Sequence, residues 1–236
     1  MVDFTGGTWR SLIDGSEVSA IPDSAIYYWL AGSFDDPWLD EVDDHEMSVF
    51  GLESSTVDGN ETVSADTGDF GEADLSKLED NLDTGFSIEF VISTTDNDID
   101  LFGRRFSSDF RIIIGHGDNS VSGTDDSKGI SFELRDDDSN TIAIQGETQI
   151  NDGNLHSIVC NLHDITGSDD AEIIIDGETE TLDVNGDDSL DSDEFRSLSE
   201  TRFWTMNDEN DFANDGSGDV VGWTIHDETL TEGTIL

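Results

Sequence analysis

The sequence predicts an all-β chain: two antiparallel sheets packed as a jelly-roll sandwich, behind a short N-terminal arm. Three observations carry that expectation. Apolar residues recur with period two in short runs, which is the signature of half-buried strands. The runs are separated by Gly, Asp, Asn and Ser turns, without the spacing that βαβ crossovers need. The 236 residues include only two Pro and no linker-length Ser/Gly/Pro tract, so nothing cuts the chain into pieces. A chain of this length can bury a real core without disulfide or metal staples.

Residues 1–23 stand apart. Gly6-Gly7 and Pro22 punctuate them, and Phe4, Trp9, Leu12 and Ile13 are apolar. An apolar arm is expected to dock on a neighbouring subunit or on its own domain. Residues 24–236 form the sandwich. Phe86 to Ser93 alternates Phe86, Ile88, Phe90 and Ile92 with mostly polar partners. Arg111 to Gly115, Gly129 to Arg135, Thr141 to Gly146 and Leu155 to Leu162 follow as strands. Ala171 to Gly177, Thr179 to Val184, Thr201 to Met206 and Asp219 to Asp227 complete the set. Asp152-Gly153 and Asp176-Gly177 carry hairpin-turn chemistry. Only Ala73 to Asn81 and Ser192 to Ser199 suggest short helices.

Composition sets the environment. Fifty-seven acids against nine bases give a formal net charge of -48. Such a surface repels itself in dilute buffer. In molar salt the Debye length falls to about 3 Å and most of that repulsion disappears. The balance resembles that of haloarchaeal proteins and the proteins of their viruses, and it implies work in brine. The 13 Phe, five Trp and clear Ile/Val runs argue against a disordered acidic chain. Nucleic acid is excluded as a partner, because Arg104-Arg105 with Arg111 is the densest basic spot and a phosphate backbone needs a basic stripe. No apolar stretch reaches the ~18 residues of a membrane span, so no membrane insertion is expected. No signal peptide is visible at the N-terminus. Cys160, in apolar SIVCNL, reads as a small buried hydrophobe.

From Ser24 onward the order of elements resembles a concanavalin A-like lectin/glucanase jelly roll of the laminin G-like type. AIYYWLAGSFDDPWLDEVDDHEMSVFGLESSTV is similar to that family's opening strands, and GFSIEFVIST to its next strand. INDGNLHSIVCNL resembles the "DGxWHHVAxxY" element, with Leu155 in place of the usual Trp. AEIIIDGE and DVVGWTIHDETLTEGTI resemble a hairpin strand and the closing strand and turn. WRSLIDGSEVSAIPDS, ahead of the jelly roll, also resembles openings of haloarchaeal and haloviral structural proteins. The resemblance implies a fold that hosts sugar-binding modules, glycosidases, adhesins and virion proteins.

The motifs are weighed against an acidic background. A glycosidase on this fold needs two carboxylates roughly 5–9.5 Å apart, and no E-x-D-x-E string supplies them. Glu133 and Glu172 are single acids in apolar strands, and Glu72, Asp74 and Glu79 are wrongly spaced. The five His form no HExxH or close pair, so no catalytic residues are expected. DVNGDDSLDSDEF has the spacing of an EF-hand-like calcium loop. Asp183, Asn185, Asp187, Ser189, Asp191 and Glu194 would ligate Ca2+ or another brine cation. Asp188 stands where that loop needs Gly. Trp38, Trp204 and Phe212, near turns, are the aromatics expected to meet a sugar.

A virion component of a halophilic archaeal virus reconciles an outward-acting fold with the lack of an export signal. It would be a capsid decoration, turret or tail fibre subunit, homo-oligomeric, and bound to other virion proteins. Its lectin-like face would touch host surface glycans. A cellular carbohydrate-binding module is the alternative, and a glycoside hydrolase a more distant one.

Overall fold

The structure is a computed structural model that describes residues 2–4, 9–11, 17–18, 24–79, 84–104, 111–117, 123, 125, 128–136, 138–191, 198, 201–203 and 216–230. Strands β1 (Val2–Phe4), β2 (Trp9–Ser11) and β3 (Glu17–Val18) pair antiparallel as a small sheet of their own. Phe4 and Trp9 are partners in its register. Leu12 and Ile13 lie outside the described residues.

The sandwich opens with β4 (Ala25–Leu30), β5 (Trp38–Leu39), β6 (Glu46–Phe50), β7 (Glu53–Val57), β8 (Asn60–Ala65) and β9 (Phe70–Ala73). One helical turn, α1 (Ser76–Glu79), precedes β10 (Phe86–Ser93), β11 (Ile99–Arg104), β12 (Arg111–His116), β13 (Ile130–Arg135) and β14 (Thr141–Gln145). The chain continues through β15 (His156–Leu162), β16 (Ala171–Ile175), β17 (Glu178–Thr179), β18 (Asp183–Asp187), β19 (Thr201–Phe203) and β20 (Gly218–His226). One sheet has eight strands, in the order β17-β16-β15-β10-β20-β8-β7, with β4 also paired to β20. The other has nine, in the order β18-β14-β13-β12-β11-β19-β9-β6-β5. The expected all-β, two-sheet sandwich is the observed fold.

Alternation decides which side chains meet between the sheets. The eight-stranded sheet points Phe86, Ile88, Phe90, Ile158, Cys160, Ile173, Trp223 and Ile225 inward. The nine-stranded sheet answers with Met47, Phe102, Ile112, Ile114, Phe132, Leu134, Ile142, Ile144 and Phe203. An aromatic seam joins the two: Phe203 meets Trp223 at 5.1 Å and Trp29 at 5.5 Å, both edge to face. Phe90 lies 4.6 Å from Trp223. Burial pushes the Cys160 thiol pKa far up, which leaves it an inert core side chain, as its apolar setting predicts.

The strand spans of β10, β12 to β16 and β20 follow the sequence expectation closely. Elsewhere the structure departs from it, and β11 (Ile99–Arg104) is a strand the sequence reading does not name. Strands β6 to β9 were not picked out individually, because Ser, Thr and Glu dominate the exposed halves of β6, β7 and β8. The run 179–184 is not one strand. Residues 180–182 carry the chain from β17 in one sheet to β18 in the other. Asp176-Gly177 makes a tight hairpin, with φ of 53° and 82°. Asp152-Gly153 does not, because β14 and β15 belong to different sheets. Of the expected helix at 73–81, Ser76–Glu79 form α1 and Ala73 ends β9, residues 80 and 81 lie outside the described residues, and the helix expected at 192–199 lies largely outside them.

Two side-chain devices tie down the rim and the outer face of the eight-stranded sheet. Asn161, fully buried on β15, acts as a strand mimic. Its Oδ1 accepts from Leu230 N at 3.1 Å, and its Nδ2 donates to Leu230 O at 2.9 Å. Its Nδ2 also donates to Glu172 Oε2 at 2.9 Å. Leu230 is thereby seated on Val159 and Ile174. At the rim, His156 joins Asp176 (Nδ1 to Oδ2, 2.8 Å) and Asp152 (Nε2 to Oδ1, 3.1 Å). Burial is the largest single influence on His156 and opposes its charge. The hydrogen bonds and charges of Asp176 and Asp152 together outweigh burial and raise its pKa above 6.5. Asp152 is drawn down to about 2, first by the Asn154 backbone N–H and then by His156.

Both devices generate predictions. Asn161→Ala leaves the buried Leu230 carbonyl without its amide donor, while Leu230 N keeps Ser87 Oγ at 2.9 Å, and is expected to cost about 1–3 kcal/mol in a denaturation series in molar KCl. A loss below half a kcal/mol would mean the clamp contributes nothing. The His156 contribution has a worked-out pH window. A raised histidine pKa stabilises fully below its unfolded value of 6.5 and fades as pH climbs through the folded value. The depressed Asp152 loses its part as pH falls through the range from 3.8 to about 2. Melting curves of His156→Ala should therefore show the largest deficit, about 1–2 kcal/mol, near pH 5, and a shrinking one above pH 7. A deficit independent of pH would refute the charged clasp.

Candidate functional site

The structure disperses the residues that the sequence grouped as sites. Trp38 is buried rather than exposed. Its Nε1–H donates to Leu30 O at 3.0 Å and Phe34 packs edge to face against it at 5.2 Å. It is a core residue because β5 turns it inward beside Met47. Trp204 and Phe212 lie outside the described residues.

The calcium loop is corrected on geometry. Asp183, Asn185 and Asp187 belong to β18, extended and paired with β14. At ~3.4 Å per residue, the ends of that strand are about 13 Å apart. Calcium holds its oxygens at roughly 2.3–2.6 Å, so Asp183 and Asp187 cannot share one ion. Each is otherwise engaged. Asp183 pairs with Lys128, and Asp187 Oδ1 accepts from Ser168 N at 2.8 Å and Ser168 Oγ at 2.7 Å. Ser189 is exposed beyond the strand, Asp191 N donates to Asp136 Oδ2 at 3.3 Å, and Glu194 lies outside the described residues. Among the described residues, no group of three or more His, Cys, Asp or Glu is placed to hold a metal.

The acids in apolar strands are separated as well. Glu172 faces outward from the eight-stranded sheet, where it bonds Asn161. Glu133 faces outward from the nine-stranded sheet between Ile113 and Ala143. Glu72 shares that outer face, yet β19, β11 and β12 stand between its strand and that of Glu133. Four strand spacings of ~4.8 Å put them about 19 Å apart, beyond any glycosidase separation.

What the fold does assemble is an aromatic platform on the outer face of the nine-stranded sheet. In β6, Met47 and Val49 turn toward the core, so Ser48 and Phe50 face out. In β9, Gly71 and Ala73 turn in, so Phe70 and Glu72 face out. Gly71 is required there, since a methyl group would collide with the Met47 thioether. Register pairs Phe50 with Phe70, Ser48 with Glu72, and Glu72 with Arg202 of β19. The two Phe rings stack with centroids 4.4 Å apart and planes at 23°. The Arg202 guanidinium lies 4.1 Å from the Phe70 centroid, and its Nε donates to Glu72 Oε2 at 3.2 Å. Strand order puts Arg202 on one side of Phe70 and Phe50 on the other, and Phe50 is 46% exposed. The result is a three-layer stack with an open outer ring, flanked by a guanidinium–carboxylate pair and Ser48. Phe50 and Phe70 were missed in the sequence, although period two in EMSVF and FGEA already assigns both to the polar face.

No protein-family model matches the chain, and no curated protein matches it in sequence. Solved structures match its fold. The receptor-binding domain of botulinum neurotoxin mosaic serotype C/D aligns with a TM-score of 0.62 at 14% identity, over 90% of this chain and 49% of that one. Domain 4 of AbnA, a GH43 extracellular arabinanase from Geobacillus stearothermophilus solved with arabinotriose, aligns with a TM-score of 0.61 at 10% identity. That alignment covers 89% of this chain and 95% of that domain. A Trypanosoma rangeli sialidase in complex with sialic acid aligns with a TM-score of 0.60 at 10% identity, over 92% of this chain and 32% of the sialidase. The chain thus spans about half the length of the toxin domain it matches. At these identities the likeness is one of fold: a two-sheet β-sandwich.

Proposed function

We propose that this chain is a non-catalytic, glycan-binding β-sandwich that works in concentrated salt. One observation carries the reading: the exposed Phe50 ring, stacked on Phe70 and flanked by Arg202, Glu72 and Ser48. A sugar ring offers an apolar face to an aromatic and hydroxyls to the charged groups beside it. The arabinanase domain supports the reading, since its sandwich aligns over 95% of its length and was captured with arabinotriose. The wide separation of Glu72 and Glu133 supports the non-catalytic part. Net charge supports the setting, because -48 is tolerable where the Debye length is ~3 Å.

A second reading is favoured by the arm. Among the described residues, β1, β2 and β3 pair only with one another and with no strand of either sandwich sheet. An arm with its own hydrogen bonding suits docking on a particle. On this reading the sandwich is a capsid decoration, turret or tail fibre subunit of a halophilic archaeal virus, and it presents its glycan-binding face to the medium.

The two readings have separate tests. Glycan arrays in molar KCl should reveal saturable binding. Phe50→Ala should weaken it about tenfold, the ~1.4 kcal/mol of a lost stacking contact, while Phe50→Trp keeps it. Binding indifferent to Phe50→Ala would remove the platform from the site, and release of free sugar from a bound polysaccharide would overturn the non-catalytic reading. For the arm, deletion of residues 1–23 should leave the sandwich folded and abolish incorporation into particles. Unchanged incorporation would discard the docking role.

A further inference from the structure

The arm is built as a small sheet with two unlike faces. Register puts Phe4, Trp9 and Val18 in one row across β1, β2 and β3, and Asp3, Arg10 and Glu17 in the next. Neighbouring rows belong to opposite faces of a pleated sheet. One face therefore carries an apolar row, and the other a row whose charges alternate in sign. Opposite charges on adjacent strands suit solvent, whereas an apolar face needs a second layer to cover it. Three strands of two or three residues cannot supply that layer themselves.

The sandwich carries a surface that fits. In β4, Tyr27 and Trp29 belong to the core, so Tyr28 and Leu30 face out of the eight-stranded sheet. Val91, Gly222 and Leu30 form one outward row across β10, β20 and β4, and Glu89, Thr224 and Tyr28 form the next. Val221, the extra residue of a bulge in β20, packs into none of the core clusters. Tyr28, Leu30 and Val221 are nevertheless buried, as are Glu89 and Thr224. A sheet cannot cover its own outer face. Leu230 covers this one where it sits on Val159 and Ile174. Burial around Leu30 and Val221, on other strands of the sheet, calls for a further layer.

Strand β1 marks where that layer lies, because it rests against β8. Strand β8 runs between β20 and β7, and its inward residues Val63 and Ala65 are core. What it has left to offer is its outer face. There Asn60 and Thr62 are buried, and Thr62 Oγ1 donates to Asp219 Oδ1 at 3.1 Å. The connection is long enough. The sandwich begins beside His226, where Ser24 O accepts from Asp227 N at 3.0 Å. From there to the Leu30 end of β4 is about 20 Å at ~3.4 Å per residue, a fraction of what 23 residues can span.

We infer that the arm folds back on its own sandwich as a third layer. The face of Phe4, Trp9 and Val18 lies over Tyr28, Leu30 and Val221, and the face of Asp3, Arg10 and Glu17 meets solvent. The Phe50 platform is on the outer face of the other sheet, so arm and platform occupy opposite sides of the molecule. The inference holds whether or not the platform binds glycan.

The test places a nitroxide on the arm through Asp3→Cys, on its charged face. Cys160 does not compete for the label, because it is buried and its thiol pKa is pushed far up. In molar KCl, amide NMR signals of β4, β8 and Val220–Gly222 should broaden, while those of β12, β13 and β14 stay sharp. Trp9→Asp should abolish the broadening and Glu17→Gln should keep it. Both changes sit in the arm and spare the sandwich core. A mixture of isotope-enriched chain without nitroxide and nitroxide-bearing chain without enrichment should show no broadening. Broadening in that mixture would give the face to a second copy and overturn the inference. So would sharp β4 and β8 signals in the labelled chain, or a pattern that Trp9→Asp leaves unchanged.

Discussion

The contact of Trp223 with Phe203, 5.1 Å apart across the interior, is the point on which both sheets depend. Trp223 is the centre of β20, the strand that β10, β8 and β4 all share. Phe203 is the inward residue of β19, which joins β11 to β9 and so closes the nine-stranded sheet. Phe90, Phe102 and Trp29 crowd against this pair. Each fully buried side chain of this size contributes about 2–3 kcal/mol, and the edge-to-face pairs add to it. That attraction has to hold a chain whose formal charge is -48. The core therefore absorbs Trp29, Trp38 and Trp223, three of the five tryptophans. The described outer surface is left to Phe50 and Phe70 as its aromatic pair.

The carboxylates are more than a charge layer. Many accept hydrogen bonds from backbone N–H groups that strand ends and turns leave over. Glu180 accepts from the N–H groups of Glu147 and Thr148 at 2.9 and 2.8 Å. Asp96 takes Ser217 N at 2.7 Å, Asp69 takes Asp66 N at 2.9 Å, and Asp187 takes Ser168 N at 2.8 Å. Direct hydrogen bonds of this kind persist in salt that screens long-range repulsion. An acid-rich sequence thus satisfies its own turns. For the same reason, a string of acids at metal-ligand spacing carries little information about metals here. The DVNGDD run has the composition of a cation loop and the conformation of an edge strand. Its charges protect that exposed edge from pairing with another sheet.

The faces follow from the same register logic. A strand that buries one side must present the other, so Glu72 and Arg202 pair outward because Ala73 and Phe203 pack inward. Glu89 and Thr224 turn outward because Phe90 and Trp223 fill the interior. The platform is not an addition to the fold. It is the outward side of strands whose inward side makes the aromatic seam.

The alternation in FSIEFVIS and GWTIH, with the apolar settings AIYYWL and SIVCNL, by itself determined that the chain folds as strands and that Trp29, Trp223 and Cys160 are interior. Those are local facts, set by the period-two pleat within one strand. The same pleat assigns Phe50 to the polar face, although a single exposed Phe in a Ser- and Glu-rich strand carries no mark of function. Tertiary structure alone decided which strands become neighbours. Pairing of β6, β9 and β19 joins Phe50, Phe70 and Arg202 from positions up to 152 residues apart in the chain. Pairing of β10, β20 and β4 does the same for Glu89, Thr224 and Tyr28. It also drew Trp38 inside and stretched Asp183–Asp187 along a sheet edge, because strand partners are chosen by the burial of whole faces and not by the chemistry of any one motif.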